Sequence, residues 1–275
     1  LQYNSLQNEH ETLEKISKLL QVAVEKKSDI IALPECSTFL CQNKEITFKK
    51  ATYEKDSIAL KTLKKLAKLY KVNILIGSLQ TKVIFRNKKN CCLVNRSFFI
   101  NSKGIVINKY DKIHMFDVIL SDKEKFIESD TYLSGDKAVL GELNVNGNKI
   151  KFGLTICYDL RFPGLFRDLA KAGAEIIFVP SAFSKTTGKL HWHALLKARA
   201  IENGCFIIAP AQTGEHFKGR SSFGHSLIVS PWGKILADAK KSEGLITKKI
   251  NIDEVYDCRK KIPNLKNEKT YNFDF

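Results

Sequence analysis

The chain has 275 residues, of which 44% are hydrophobic and 27% charged, a composition typical of a globular protein rather than a disordered one. No run approaches the roughly 18–20 apolar residues that span a bilayer, and the first residues lack the pattern of a secretory signal. The net charge of +16 is carried by 38 Lys and only 7 Arg spread along the whole chain, whereas nucleic-acid-binding proteins usually cluster their basic residues and favour Arg. We therefore expect neither a nucleic-acid partner nor a membrane partner.

Helical and strand-like patterns alternate through the first half of the chain. Residues 11–25 have the apolar spacing of an amphipathic helix, and so do residues 56–70, where Asp56 or Ser57 would be the N-cap. The runs 29–35 and 72–79 are strand-like. Residues 82–110 indicate strands joined by turns at "NKKN" (87–90) and "NSKG" (101–104).

The second half repeats this plan without an intervening linker. Helices are predicted over 163–173, with Pro163 in the first turn and Gly173 as the stop, and over 191–204. The predicted strands are 150–156, 174–183, 205–212, 223–230 and 244–252. The second half thus reads strand–helix–strand–helix and then mostly strands, and the first half likewise alternates two helices with strands before it continues as strands. Nearly continuous apolar strands favour sheets covered on both faces, so we expect one α/β domain over residues 1–275, a four-layer α-β-β-α sandwich of two related halves.

The seven cysteines form no C-x-x-C pair and no zinc-finger spacing. Their odd number indicates reduced thiols in a cytoplasmic protein, most of them buried as small hydrophobic side chains. Cys157 differs from the others because it ends the apolar run "LTICYD", directly before a predicted helix.

Three polar residues follow apolar strands and could converge. Glu35 lies in "LPECSTF", Lys112 in "NKYDKIHMFD" and Cys157 in "LTICYD". Sites in α/β folds are built at the carboxyl ends of strands. There a lysine stabilises a thiolate and a developing oxyanion, a glutamate moves protons and a cysteine attacks carbonyl carbon. Each residue alone is more often a solvated loop residue, a surface lysine or a core thiol.

These stretches, together with residues 154–214 and "GHSLIVSPWGKIL", resemble the nitrilase superfamily of carbon–nitrogen hydrolases. The resemblance covers nearly the whole chain in the family's order. It is greatest to the amidase branch that contains deaminated glutathione amidase and omega-amidase. It implies an αββα sandwich, the catalytic triad Glu35, Lys112 and Cys157, and a further glutamate at Glu128.

The resemblance also implies a reaction and a pocket. The enzyme would hydrolyse a small carboxylate-bearing linear amide through a cysteine thioester, without metal or organic cofactor, as a homodimer. Nitrile or N-carbamoyl hydrolysis by the same triad stays an alternative, as do a catalytically silent scaffold of this fold and, from a different class, a basic nucleic-acid-binding protein. The residues expected to bind substrate are Tyr158, Arg161, Phe116, Phe183 and Thr187.

Three histidines and one arginine have competing interpretations. His191 and His193 in "HWH" diverge on a helix, which favours packing over metal binding. His225 in "GHS" is an alternative general base for a Cys–His site. The Arg161 guanidinium could bind a substrate carboxylate through bidentate hydrogen bonds, or it could form a salt bridge with Asp159 or another acid.

Overall fold

Two β-sheets lie face to face between two layers of helices in the computed structural model, which describes residues 1–84, 91–121 and 124–274. The helices are α1 (Glu9–Glu25), α2 (Lys44–Lys50), α3 (Ile58–Tyr70), α4 (Pro163–Lys171), α5 (Lys185–Thr187), α6 (His193–Asn203), α7 (Asp253–Lys261) and α8 (Asn264–Asn267). A π-helical turn, Gly188–Trp192, joins α5 to α6. Within the described ranges, no helix is both long and apolar enough to cross a membrane.

The strands fall into two sheets and two separate hairpins. The first sheet contains β1 (Ile30–Ala32), β2 (Thr52–Tyr53), β3 (Asn73–Ile84), β4 (Cys91–Ile100) and β5 (Val106–Asp111). The hairpins are β6 (Asp117–Ser121) with β7 (Glu124–Ile127), and β12 (Thr213–Phe217) with β13 (Arg220–Phe223). The second sheet contains β8 (Val139–Val145), β9 (Asn148–Leu154), β10 (Ile176–Phe178), β11 (Phe206–Ala209), β14 (Leu227–Val229) and β15 (Ile235–Asp238).

Both sheets are mixed. In the first, the order is β1-β3-β4-β5, with β1 and β2 parallel to β3 and the remaining pairs antiparallel. In the second, the order is β15-β14-β11-β10-β9-β8, and the three central strands β9, β10 and β11 are parallel. The parallel strands therefore end at one edge of the sandwich, where the loops after them can build a site.

The alternation of side chains along the strands divides the core into layers. In β3, Ile74 and Ile76 pack against α1 and α3, whereas Leu75 faces the second sheet. Between the sheets, the Phe99 ring stacks on the Phe152 ring at 4.2 Å. On the outer face of the second sheet, α4 and α6 contribute a further set of buried side chains: Phe166, Leu169, Leu196 and Ala200. The predicted α-β-β-α sandwich is confirmed.

Several predicted details are correct. Ser57 is the N-cap of α3, and its side chain accepts a hydrogen bond from the Leu60 N–H. Pro163 is in the first turn of α4, and Gly173 ends that helix region with a left-handed φ of +104°. The "NSKG" turn is present, because the Gly104 N–H donates to the Asn101 carbonyl. The "NKKN" turn lies outside the described residues.

Other predicted elements are wrong. Residues 245–252 form no strand: Ile250 and Ile252 pack against the core, but the segment has no partner strand among the described residues, and only Gly244 bridges, to Gln2. The strand predicted over 174–183 is limited to β10, Ile176–Phe178. The first residues of the helix predicted from residue 191 belong to the π-helical turn Gly188–Trp192. Only three of the seven cysteines are buried, so most do not serve as core residues. Strand β8 and the hairpin of β12 with β13 were not predicted as separate elements.

Candidate active site

Glu35, Lys112 and Cys157 meet at the ends of three strands. They follow β1, β5 and β9, and all three are buried. Lys112 Nζ lies 3.0 Å from Glu35 Oε1, and a hydrogen bond also joins Glu35 to the Cys157 thiol. The sequence prediction that these three residues converge agrees with the structure.

The Glu35 loop is fixed by backbone contacts. The Ala182 N–H donates to Glu35 Oε2 at 2.8 Å, and the Gln212 side-chain amide donates to the Glu35 carbonyl at 2.9 Å. Gly77 lies beneath this loop, where a Cβ atom would come within 2.2 Å of the Leu33 carbonyl oxygen. Only glycine permits this approach of β3 to the segment that carries Glu35.

The Lys112 ammonium is surrounded by carboxylates. Besides Glu35, it donates to Glu128 Oε1 at 2.9 Å and to Oε2 at 2.8 Å. Glu128 is held in turn by the Phe116 N–H at 2.7 Å. Asn95 Nδ2 lies 3.0 Å from Glu35 and 3.3 Å from Glu128, so it links the two carboxylates. Glu128 therefore belongs to the cluster, as its motif position predicted.

This arrangement shifts the pKa of each group. Burial opposes the ionised form of Glu35, but the charge of Lys112 and the surrounding hydrogen bonds outweigh it and lower the pKa of the carboxyl. Burial likewise opposes the Lys112 ammonium, but the charges of Glu128 and Glu35 raise its pKa well above the ordinary value. Burial and the Glu35 charge raise the pKa of the Cys157 thiol. The resting site is thus a carboxylate, an ammonium and a neutral thiol.

Cys157 occupies a sharp turn between β9 and a 3₁₀ turn over Cys157–Arg161. Its φ is +48°, in the left-handed region that side chains larger than glycine rarely adopt. Its N–H donates to the Pro180 carbonyl at 2.9 Å, which holds the turn against the segment after β10. A strained residue maintained by its surroundings is typical of functional sites.

Asp159 connects the cysteine turn to the lysine segment. Its buried carboxylate accepts from the Tyr110 hydroxyl at 2.6 Å and from the Ile156 N–H at 2.8 Å. The His114 N–H lies 3.1 Å and the His114 ring 2.7 Å from the other oxygen. Because Tyr110 and His114 flank Lys112, this carboxylate fixes the Cys157 turn relative to the Lys112 ammonium.

Arg161 is half-buried beside two aromatic side chains and a histidine. Its guanidinium lies 5.4 Å from the Phe183 ring and 5.8 Å from the Tyr158 ring, and Nη2 is 3.2 Å from His191 Nδ1. Within the described ranges, no carboxylate forms an ion pair with Arg161. The alternative of a salt bridge with Asp159 is wrong.

Two further predicted substrate residues have different surroundings. The Phe116 ring contacts the Tyr158 ring edge-on at 5.1 Å, beside the backbone that holds Glu128. The Thr187 hydroxyl instead lies 2.8 Å from Ser184 Oγ within α5. That contact serves the local turn, so a substrate role for Thr187 rests on its motif position alone.

The histidines do not join the triad. His225 Nδ1 lies 3.0 Å from Asp238 Oδ1, so its ring serves a different cluster from Cys157. His191 faces Arg161, whereas His193 faces Asp238 and His225. The predicted divergence of the "HWH" pair is confirmed.

A protein-family model described as carbon-nitrogen hydrolase matches residues 1–260. The chain belongs to this family. Its relatives named deaminated glutathione amidase include one from Synechocystis, 39% identical over 96% of this chain and 95% of that protein. Another, from Dictyostelium discoideum, is 36% identical over 99% of this chain and 93% of its own length. The protein is an amidase of the nitrilase superfamily.

Solved structures agree with the family assignment. The Caenorhabditis elegans NitFhit protein superposes with a TM-score of 0.86 at 30% identity; the match covers 98% of this hydrolase and 63% of the longer NitFhit chain. Saccharomyces cerevisiae Nit3, a nitrilase-superfamily member, superposes with a TM-score of 0.81 at 27% identity, covering 94% of this chain and 91% of Nit3.

Sequence reasoning missed three residues of this carbon–nitrogen hydrolase site. Asn95, Asp159 and Gln212 contact the triad or its supporting backbone and are buried. Asn95 carried a usable signal, since it is a polar residue inside the apolar strand run "CCLVNRSFFI". Gln212 carried none, and neither did the contacts of Asp159 with Tyr110 and His114, because these partners lie far away in the chain.

Proposed function

We propose that this amidase hydrolyses a small linear amide bearing a carboxylate, with deaminated glutathione and related omega-amides as the substrate class. Cys157 is the nucleophile, Glu35 the general base, and Lys112 the electrophilic partner. The observation that carries the proposal is the buried Glu35–Lys112 contact of 3.0 Å beside the Cys157 thiol.

The reaction begins with proton transfer from Cys157 to Glu35. The thiol is neutral because burial and the Glu35 charge raise its pKa, so it requires a base at the moment of attack. Glu35 already hydrogen-bonds to the thiol and is ionised. The sulfur then attacks the amide carbonyl carbon and gives a tetrahedral intermediate.

Two hydrogen-bond donors stabilise the oxygen of that intermediate. Lys112 provides a charged donor that Glu35 and Glu128 hold in place. The N–H of Cys157 is occupied by Pro180, so we assign the second donor to the Tyr158 N–H, in the first turn that follows the nucleophile. One such donor is typically worth about 3 kcal/mol of barrier.

Collapse of the intermediate releases ammonia or an amine, which takes the proton from Glu35, and leaves a thioester on Cys157. Glu35 then removes a proton from water as the water attacks the thioester, and the acid departs with the thiol restored. Glu128 acts as a positioning residue, because both of its oxygens contact the Lys112 ammonium.

The substrate carboxylate is assigned to Arg161. Its guanidinium is near the rings of Tyr158 and Phe183, which provide apolar walls for the short chain of the substrate, with Phe116 beside Tyr158. The relatives named deaminated glutathione amidase support an acidic amide substrate. We also include Thr187 among the residues that bind substrate, because of its position in the family motif.

We assign the protein to the cytoplasm, as a homodimer with one catalytic domain over residues 1–275. The cytoplasmic assignment rests on the cysteine pattern, and the dimer on the resemblance of the C-terminal segment to that of the family.

The activity is tested by kcat/KM across four substrate classes at equal concentration, measured as ammonia release, or as release of the amine product for deaminated glutathione, whose amide nitrogen leaves as an amine. The panel contains deaminated glutathione with small dicarboxylate monoamides, uncharged short amides, N-carbamoyl amino acids and aliphatic nitriles. The proposal predicts the highest kcat/KM for the carboxylate-bearing amides. Higher kcat/KM for a nitrile or an N-carbamoyl amino acid would replace the proposed substrate class.

A further inference from the structure

Two histidines and an aspartate converge on a second site that shares no residue with the triad. His193 begins α6, His225 precedes β14, and Asp238 ends β15. One ligand atom from each of the three lies within 4.8 Å of the others. We propose that this cluster binds a divalent transition metal ion, with Zn²⁺ as the preferred biological ion.

The donor types and their spacing fit such an ion. Imidazole nitrogen combined with one carboxylate suits Zn²⁺, Co²⁺ and Ni²⁺ rather than Ca²⁺ or Mg²⁺. Ligands about 2.0–2.1 Å from a tetrahedral zinc lie about 3.3 Å from one another. Asp238 Oδ2 is 3.2 Å from His225 Nδ1 and 3.6 Å from His193 Nε2. These distances bracket the required value.

Two of the three ligands are held in place before a metal binds. His225 has a left-handed φ of +56°, its N–H donates to the Lys240 carbonyl at 2.6 Å, and its own carbonyl accepts from Trp192 Nε1 at 2.8 Å. Its ring stacks on Phe223 at 4.5 Å. Asp238 accepts from the Lys240 N–H at 2.7 Å. His193 is about one-third exposed, so its ring can turn to complete the set.

Lys240 competes with the metal for Asp238. Its ammonium lies 2.9 Å from Asp238 Oδ2, but its side chain is 75% exposed, so it can swing into water at little cost. Three protein ligands leave a fourth position for water. A bound ion would tie the start of α6 to β15 and stabilise the folded protein by mass action.

The test titrates Co²⁺ and Zn²⁺ into the full chain carrying Cys157→Ala, which removes the active-site thiol as a competing ligand. We expect one bound Co²⁺ with visible absorption bands of nitrogen and oxygen coordination, displaced by Zn²⁺, and a rise in the unfolding temperature. His193→Ala on this background should weaken Co²⁺ binding by about tenfold or more. His10→Ala, which removes an exposed histidine of α1, should leave binding unchanged.

Lys240→Ala provides the opposite test, because its side chain is exposed and its loss leaves the fold intact. Removal of this competing ammonium should tighten Co²⁺ binding. Unchanged affinity in His193→Ala, or weaker affinity in Lys240→Ala, would overturn the proposal. So would the absence of a saturable Co²⁺ spectrum on the Cys157→Ala background.

Discussion

Glu35 and Lys112 are 77 residues apart in the chain, yet their Oε1 and Nζ atoms lie 3.0 Å apart inside the protein. Both side chains are almost completely removed from water. A buried charge without its partner is strongly unfavourable, so each of the two residues depends on the other. Glu128 supplies a second carboxylate, and the ammonium keeps a counter-charge when Glu35 takes a proton.

Replacement of Glu35 by glutamine should remove the base while keeping the shape of the side chain. Glu35→Gln should lower kcat/KM by about 10²- to 10⁴-fold, the usual contribution of a positioned proton acceptor. Ammonia release measures the rate, and circular dichroism checks folding. Glu142→Gln on β8, an exposed position, is the control. A Glu35→Gln rate equal to that of the control would contradict the assigned role.

Because its pKa is lowered, Glu35 should stay ionised, and able to act as a base, in mildly acidic solution. An unperturbed Glu titrates at 4.5, and kcat/KM should lose the contribution of Glu35 only below that pH. Because the folded pKa lies below the unfolded one, the stability that this group contributes is present above about pH 4.5 and is lost as pH falls through the folded value. Urea unfolding from pH 6 to pH 3 measures this loss.

The matched comparison for the pH experiment is Glu35→Gln, which carries no titrating group at this position. The wild type should lose more unfolding free energy than the variant as the pH falls through this range. Parallel curves for the two proteins would show that the pKa of Glu35 is the same in the folded and unfolded states.

Asp159 is predicted to be a positioning residue. Its carboxylate accepts from Tyr110, Ile156 and His114, and an asparagine offers only one acceptor oxygen. Asp159→Asn should therefore lower the free energy of unfolding by about 1–3 kcal/mol. It should also lower kcat about tenfold or more, because small displacements of reacting groups are costly.

The control for this variant is Asp136→Asn, at an exposed position. The two measurements separate two roles of Asp159. The free energy of unfolding reports its contribution to the stability of the fold, and kcat reports its effect on the position of Cys157. A destabilised but fully active Asp159→Asn would restrict Asp159 to folding.

The sequence predicted the three triad loops because each follows an apolar strand, and strand ends are identifiable from local pattern. It did not predict the contacts of Asp159 with Tyr110 and His114, because these join segments 45 to 49 residues apart. Residues 244–252 were misread for a related reason. Their apolar side chains suit a strand, and Ile250 and Ile252 do pack on the core. A strand also needs a partner strand to hydrogen-bond with, which a local pattern does not reveal.

Arg161→Lys separates substrate recognition from chemistry. An ammonium does not reproduce the two parallel hydrogen bonds of a guanidinium, so KM for a carboxylate-bearing amide should rise. Loss of a charge-assisted hydrogen bond of about 1.5–3 kcal/mol corresponds to roughly 10- to 150-fold in kcat/KM. An uncharged short amide should lose little. Equal losses for both substrates would assign Arg161 to support of the cysteine turn.

The central claim is that Cys157 forms the thioester. The direct measurement compares ammonia release by Cys157→Ala with that of Cys205→Ala, a second buried cysteine that lies outside the triad. Cys157→Ala should fold normally and lose at least about 10⁴-fold in kcat/KM, because removal of a nucleophile leaves only binding and oxyanion stabilisation. Cys205→Ala should keep most of the activity. Substantial turnover by folded Cys157→Ala would contradict the mechanism.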